Sequence, residues 1–105
     1  MADMFKILQQ AQQMQDRLKQ MHEELQQKSV TGSAGGGMVA VDADGRGHVR
    51  RIKIDPSLLG QPDVEMIEDL ILVAVNDAQK KATDLAQQEM SKLTGGMELP
   101  FKLPF

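Results

Sequence analysis

Apolar residues near the N-terminus stand alternately three and four positions apart: Met4, Ile7, Ala11, Met14, Leu18, Met21 and Leu25. This is a heptad seam kept for more than three repeats, and it predicts one long helix over residues 3–28. No glycine or proline interrupts the stretch, and Ile7 is its only β-branched residue. At ~1.5 Å per residue such a helix is about 39 Å long, more than a small domain can cover. Its remaining surface is polar, with glutamines at Gln9, Gln10, Gln12, Gln13, Gln15, Gln20, Gln26 and Gln27. One end is therefore expected to project into solvent or to meet a partner.

From Ser29 the period changes. Ser29-Val30-Thr31 is a short strand candidate, Gly32 to Gly37 a glycine loop, and Met38 to Ala43 a second strand. Asp44-Gly45-Arg46-Gly47 predicts a hairpin turn into a third strand, His48 to Ile54. Asp55-Pro56 ends the sheet, and Pro56 to Leu59 fits a single helical turn closed by Gly60. Pro62-Asp63 opens a second helix running to about Leu93. Acids crowd its first turns (Asp63, Glu65, Glu68, Asp69) and Lys92 stands in its last, as the helix dipole favours. Its predicted buried stripe is Ile67, Ile71, Ala74, Ala78, Ala82 and Leu85; alanines at every fourth position, 74 to 86, let another backbone come close. Gly95-Gly96 ends it. The tail repeats Leu-Pro-Phe, at Leu99 to Phe101 and Leu103 to Phe105, and reads as stiff and extended.

The order predicts one α+β domain over residues 1–105. It comprises a helical arm (1–28), a three-stranded antiparallel sheet (29–55), a C-terminal helix (62–93) and an extended tail (94–105). Both faces of the hairpin carry apolar residues: Val39 and Val41 on one, Met38 and Ala40 on the other, with Val49 opposing Ile52 and Ile54. One helix covers one face. A second copy of the chain is the economical cover for the other, so a homodimer is expected.

The glycines raise a question of chemistry. Gly35-Gly36-Gly37-Met38-Val39-Ala40 satisfies the dinucleotide fingerprint G-x-G-x-x-[G/A], but that motif works by opening a helix whose amides face a pyrophosphate. Here it joins two strands, and no Lys-Ser/Thr follows as a phosphate loop would need. The expected role is a connection with positive φ. With no cysteine, there is no disulfide framework, thiolate nucleophile or cysteine metal site. His22 and His48 lack a second histidine at metal-binding spacing. Ser29, Ser33, Ser57 and Ser91 lack a nucleophile elbow, and the absence of Trp and Tyr leaves thin walls for a ligand pocket. The chain is read as no enzyme, without cofactor, metal or small-molecule substrate. No run of about 18 apolar residues crosses a membrane, and Asp3 with the glutamines breaks any signal-peptide pattern; a cytoplasmic protein is expected.

The net charge is −3, but it is polarised. Asp55 to Asp77 holds acids and no base, while Arg46, Arg50, Arg51 and Lys53 stand in the hairpin against Asp44 alone. With no aromatic residue on the sheet, stacking on single strands is not expected. Double-stranded DNA can be held through its phosphates by Lys, Arg, Gln and Ser. The candidate contacts are Arg46, Arg50, Arg51 and Lys53 in the hairpin, Arg17, Lys19 and Lys28 on the first helix, and Lys80 and Lys81 on the second.

The run from Gly32 to Ala82, with its glycines before "VAVDADGRG", then "IKIDPSLL" and "EDLILVAVNDAQKKA", resembles the YbaB/EbfC family of bacterial nucleoid-associated proteins. The Met/Gln-rich first helix and the glycine-plus-Leu-Pro tail agree, so the resemblance covers nearly the whole chain. It implies a homodimer whose sheets and C-terminal helices form a body from which the N-terminal helices protrude as arms. It further implies duplex DNA binding with low sequence selectivity, a place in the nucleoid and in gene expression, and neither catalysis nor cofactor. The alternative is a protein-interaction scaffold or prefoldin-like holdase, since helix, hairpin and helix also describe such subunits.

Overall fold

A computed structural model describes residues 2–60 and 62–93. The elements are α1 (Ala2–Gln27), β1 (Ser29–Ala34), β2 (Val39–Asp44), β3 (Val49–Ile54), a 3-10 turn (Pro56–Leu59) and α2 (Val64–Leu93). The α+β layout, with one antiparallel sheet in the order β1-β2-β3, agrees with the sequence pattern. The expected extended tail, residues 94–105, lies outside the described residues. No described helix is long and apolar enough to cross a membrane.

The first strand is longer than expected because Gly32 belongs to it. A Cβ on Gly32 would stand 2.3 Å from the Ala78 nitrogen and 2.4 Å from the Ala74 carbonyl oxygen. Glycine here, facing the alanine stripe, lets β1 lie directly on the helix backbone. Only the glycines at 35, 36 and 37 make the turn, all with positive φ (62°, 66° and 93°), as the tight connection into β2 requires.

The core forms where α2 crosses β1 and β2. Ala34, Val39, Val41, Ala43, Leu58, Ala74 and Ala78 are buried together, and Ile67, Leu70, Ile71 and Val75 pack at the margin. The buried line of α2 is thus Ala74, Ala78, Ala82, Ala86 and Met90; the larger Ile67, Ile71 and Leu85 sit half-buried beside it. Asp63 starts α2 by accepting the Met66 N–H at 3.1 Å, satisfying an amide the helix cannot.

The expectation of two apolar sheet faces is corrected by the register. On the face away from α2, Thr31 pairs with Asp42, which pairs with Arg51; Ser33 pairs with Ala40, which pairs with Lys53. That face is mostly polar and tolerates water. The uncovered apolar surface lies on the helix side instead. Ile52 pairs with Val41 and Ile54 with Val39, yet one helix spans only two strands, and Ile52 is left 46% exposed. Leu72 and Val73 on α2 are also exposed.

The molecule is long and thin, 73 × 23 × 17 Å. Its Cα radius of gyration is 19.2 Å, against about 13 Å for a compact domain of similar length. The expected projection of α1 accounts for the difference. Met21 and Leu25 are buried with Ala86 and Met90 of α2, whereas residues 3–17 are exposed throughout.

Candidate nucleic-acid interface

The direction of the arm is set at its root. The last carbonyls of a helix lack partners within it, and here the hairpin supplies them. Gly45 N–H donates to the Leu25 carbonyl at 2.8 Å, and the Arg50 Nη2 donates to the Gln26 carbonyl at 2.9 Å. A Cβ at Gly45 would stand 2.5 Å from the Leu25 oxygen, so no other residue allows this approach.

Asp44 ties the turn to the same point. Its Oδ1 accepts the N–H groups of Arg46 (2.8 Å) and His48 (3.0 Å), and its Oδ2 accepts from Arg50 Nη2 at 3.2 Å. The carboxylate is only 1% exposed. Burial works to raise its pKa, but the two N–H donors and the Arg50 guanidinium outweigh it and hold the carboxyl below its usual range. Arg50 reaches this site because the strand pairing slips: Asp42 faces Arg51 but Ala43 faces Val49, leaving Arg50 as the extra residue of a bulge. A second clamp joins the helices, where Lys28 Nζ lies 2.8 Å and Lys92 Nζ 3.5 Å from Glu89 Oε1. The hydrogen bond from Lys28 is the main cause of the lowered Glu89 pKa.

The nine basic candidates therefore separate. Lys28 pairs with Glu89, Arg50 with Asp44, and Lys81 with Asp77 at 3.3 Å while also donating to the Thr31 carbonyl at 2.9 Å. These three have structural work. The side chains of Arg17, Lys19, Arg46, Arg51, Lys53 and Lys80 make no hydrogen bond or ion pair among the described residues. Arg17 and Lys19 are exposed on the arm, flanking the seam residue Leu18, and Arg46 lies at the arm root beside the cavity that also takes His22 and His48. Arg51 and Lys53 occupy the polar sheet face, on the opposite side of the body from α2 and its Lys80. The fold thus does not gather the nine into one patch within a single chain. Arg50 and Asp44 are the root residues that sequence reasoning assigned no structural role; the adjacent Arg50-Arg51 pair, which strict alternation would send to opposite faces, was the available signal. Among the described residues no group of three or more His, Cys, Asp or Glu is placed to hold a metal ion.

Comparison with known proteins follows the same lines. The chain matches the model of the YbaB/EbfC DNA-binding family over residues 1–97. A nucleoid-associated protein of Gemmatimonas aurantiaca is 52% identical over 103 residues, covering 98% of this chain and 99% of that one. A nucleoid-associated protein of Rhodospirillum rubrum is 46% identical over 107 residues, covering 100% of each chain. Among solved structures, an uncharacterized protein from Helicobacter pylori superimposes with a TM-score of 0.75 at 27% identity, over 85% of this chain and 94% of that one. The resemblance read from the hairpin and second-helix motifs is borne out.

Proposed function

Because this chain belongs to the YbaB/EbfC DNA-binding family, we propose that it binds duplex DNA as a homodimer with low sequence selectivity, and thereby acts in nucleoid organisation and gene expression. The relatives named as nucleoid-associated support that location and role. The matched family is a DNA-binding one, in keeping with the reading that the chain is not an enzyme.

The observation that carries the site assignment is the arm. α1 stands clear of the body and offers Arg17, Lys19 and a dense array of exposed glutamines, with no competing ion pair on either base. Such side chains reach phosphates and sugars, which position a protein on a duplex without reading its bases. A dimer would present two arms, with Arg46 at each root and Arg51 and Lys53 on the sheets as further contacts. The uncovered helix-side surface of β3, with Ile52 at its centre, is the face a second copy would bury.

The test is a gel-shift series on random duplex DNA at rising salt. Two arms with two bases each neutralise about four phosphates, so affinity should fall roughly a hundredfold between 50 and 200 mM salt. An Arg17→Glu/Lys19→Glu variant that remains dimeric should lose most binding even at low salt. Unchanged binding by that variant refutes the arm assignment. No binding by the parent at low salt, together with suppression of client aggregation, supports the holdase reading.

A further inference from the structure

At the arm root, α1, the hairpin and α2 enclose a cavity of about 140 Å³. Leu25 of α1 with Ala82 and Ala86 of α2 give it an apolar floor, and all three are buried. Its polar lining comes from His22 of α1 and from Arg46 and His48 of the hairpin. Arg46 and His48 are exposed and His22 is half-buried, so these groups stand at the mouth rather than on the floor.

The mouth is held in place from both helices. Asp44 takes the N–H groups of Arg46 and His48, Gly45 N–H caps the Leu25 carbonyl, and Gln79 Nε2 of α2 donates to the Gly47 carbonyl at 3.3 Å. The backbone that carries the two exposed side chains is therefore fixed before any ligand arrives.

The chemistry of the lining is that of an anion site. A guanidinium offers forked donors matched to phosphate oxygens, and an imidazole offers a donor that becomes a cation when protonated. No carboxylate lines the cavity among the described residues. On the hairpin, Asp44 Oδ2 lies 3.6 Å from His48 Nδ1, but that carboxylate is buried and already holds two amides and Arg50. The other ring nitrogen of His48 is the one left for a ligand. On α1 the charged neighbours of His22 are Lys19, three positions before it on the same side of the helix, and Glu23, about 100° round. α2 brings only Ala82, Thr83 and Ala86 to the lining, none of them charged, and the Thr83 hydroxyl donates to the Gln79 carbonyl at 3.0 Å.

We propose that this cavity seats one phosphate group, held by Arg46 and the rings of His22 and His48. On a duplex that group belongs to the DNA backbone, an assignment of source that rests on the DNA-binding reading above. Lys19 continues the contact outward along the arm. Histidine gains charge as pH falls from 8 toward 5, so the grip tightens on mild acidification, a response that contacts through lysine and arginine alone lack.

The chain holds two histidines, so their ring proton resonances can be followed one by one in the full-length protein. Both should move when random duplex is added at pH 6.5, and when inorganic phosphate is added in its place; Arg46→Ala should weaken both responses. In gel shifts at 0.1 M salt, lowering the pH from 8 to 6 should raise affinity about tenfold for each imidazolium engaged and steepen the salt slope by about 0.9. His22→Gln/His48→Gln, with an unchanged circular dichroism spectrum, should lose this pH response and still bind at pH 8. Duplex binding that leaves the ring signals still, or an undiminished pH response in the double variant, overturns the proposal while the DNA reading stands. Ring signals that answer inorganic phosphate in a protein that binds no duplex support the phosphate seat and overturn the DNA reading instead. Ring signals that answer neither probe overturn the proposal.

Discussion

Asp44 shows how much one side chain organises. Its carboxylate holds two turn amides and the guanidinium that in turn holds the end of α1. Asp44→Ala leaves buried donors without an acceptor, a loss of about 3 kcal/mol in chemical denaturation at pH 7. The acid sensitivity follows from the direction of the pKa shift. The folded carboxyl titrates below the ordinary value of 3.8, so its contribution is full above that value and is lost as pH falls through the folded pKa. Asp44→Asn should therefore be less stable at neutral pH and show a shallower loss between pH 4 and about pH 2, measured as denaturation midpoints across that range. The sequence announced the turn through Asp44-Gly45 but not the burial of the aspartate, because an Asp-Gly pair reads alike whether or not a helix end lies against it.

At the scale of elements, the fold rests on close approach between backbones. β1 and α2 touch through Gly32 and the alanine stripe, where added volume has no soft side chain to displace. Gly32→Ala should cost about 3 kcal/mol and lower the melting temperature by more than about 10 °C, as followed by circular dichroism. Gly36, with no atom within 4 Å of a Cβ, should tolerate alanine far better, at about 1 kcal/mol for its positive φ. The helices and strands were legible in the sequence because their periods of 3.6 and 2 are set by burial on one side. The extent of β1 was not, since Gly32 reads as loop until the helix facing it is known. The polar back of the sheet was missed for a related reason: Ala40 and Met38 suggested an apolar face, while the neighbours supplied by register, Thr31, Asp42, Arg51, Ser33 and Lys53, are far apart in sequence.

For the molecule as a whole, the projecting arm was legible from its length against the size of the domain, and the family from its motifs. Which bases are available was not, because the contacts that occupy Lys28 and Lys81 reach across 61 and 50 positions and that of Arg50 depends on the strand bulge. The exposed surface around Ile52 is the face offered for dimerisation. Ile52→Glu should shift sedimentation at micromolar concentration to the monomer and weaken duplex binding at least tenfold, since a lone arm keeps only half the phosphate contacts. A variant that stays dimeric would place the interface elsewhere.

The two borders of the sheet are not alike. Along β1 the outward Ser33 N–H donates to Asp77 Oδ2 at 3.0 Å and the outward Thr31 carbonyl accepts from Lys81, so α2 has already occupied the places a further strand would take. Along β3 no described backbone group is taken in this way. A sheet with one sealed border has a single valence. If the copies that bury the Ile52 face also pair along this border, the bond that forms the pair uses up the last site for growth and leaves nothing for a third chain to extend into a fibre.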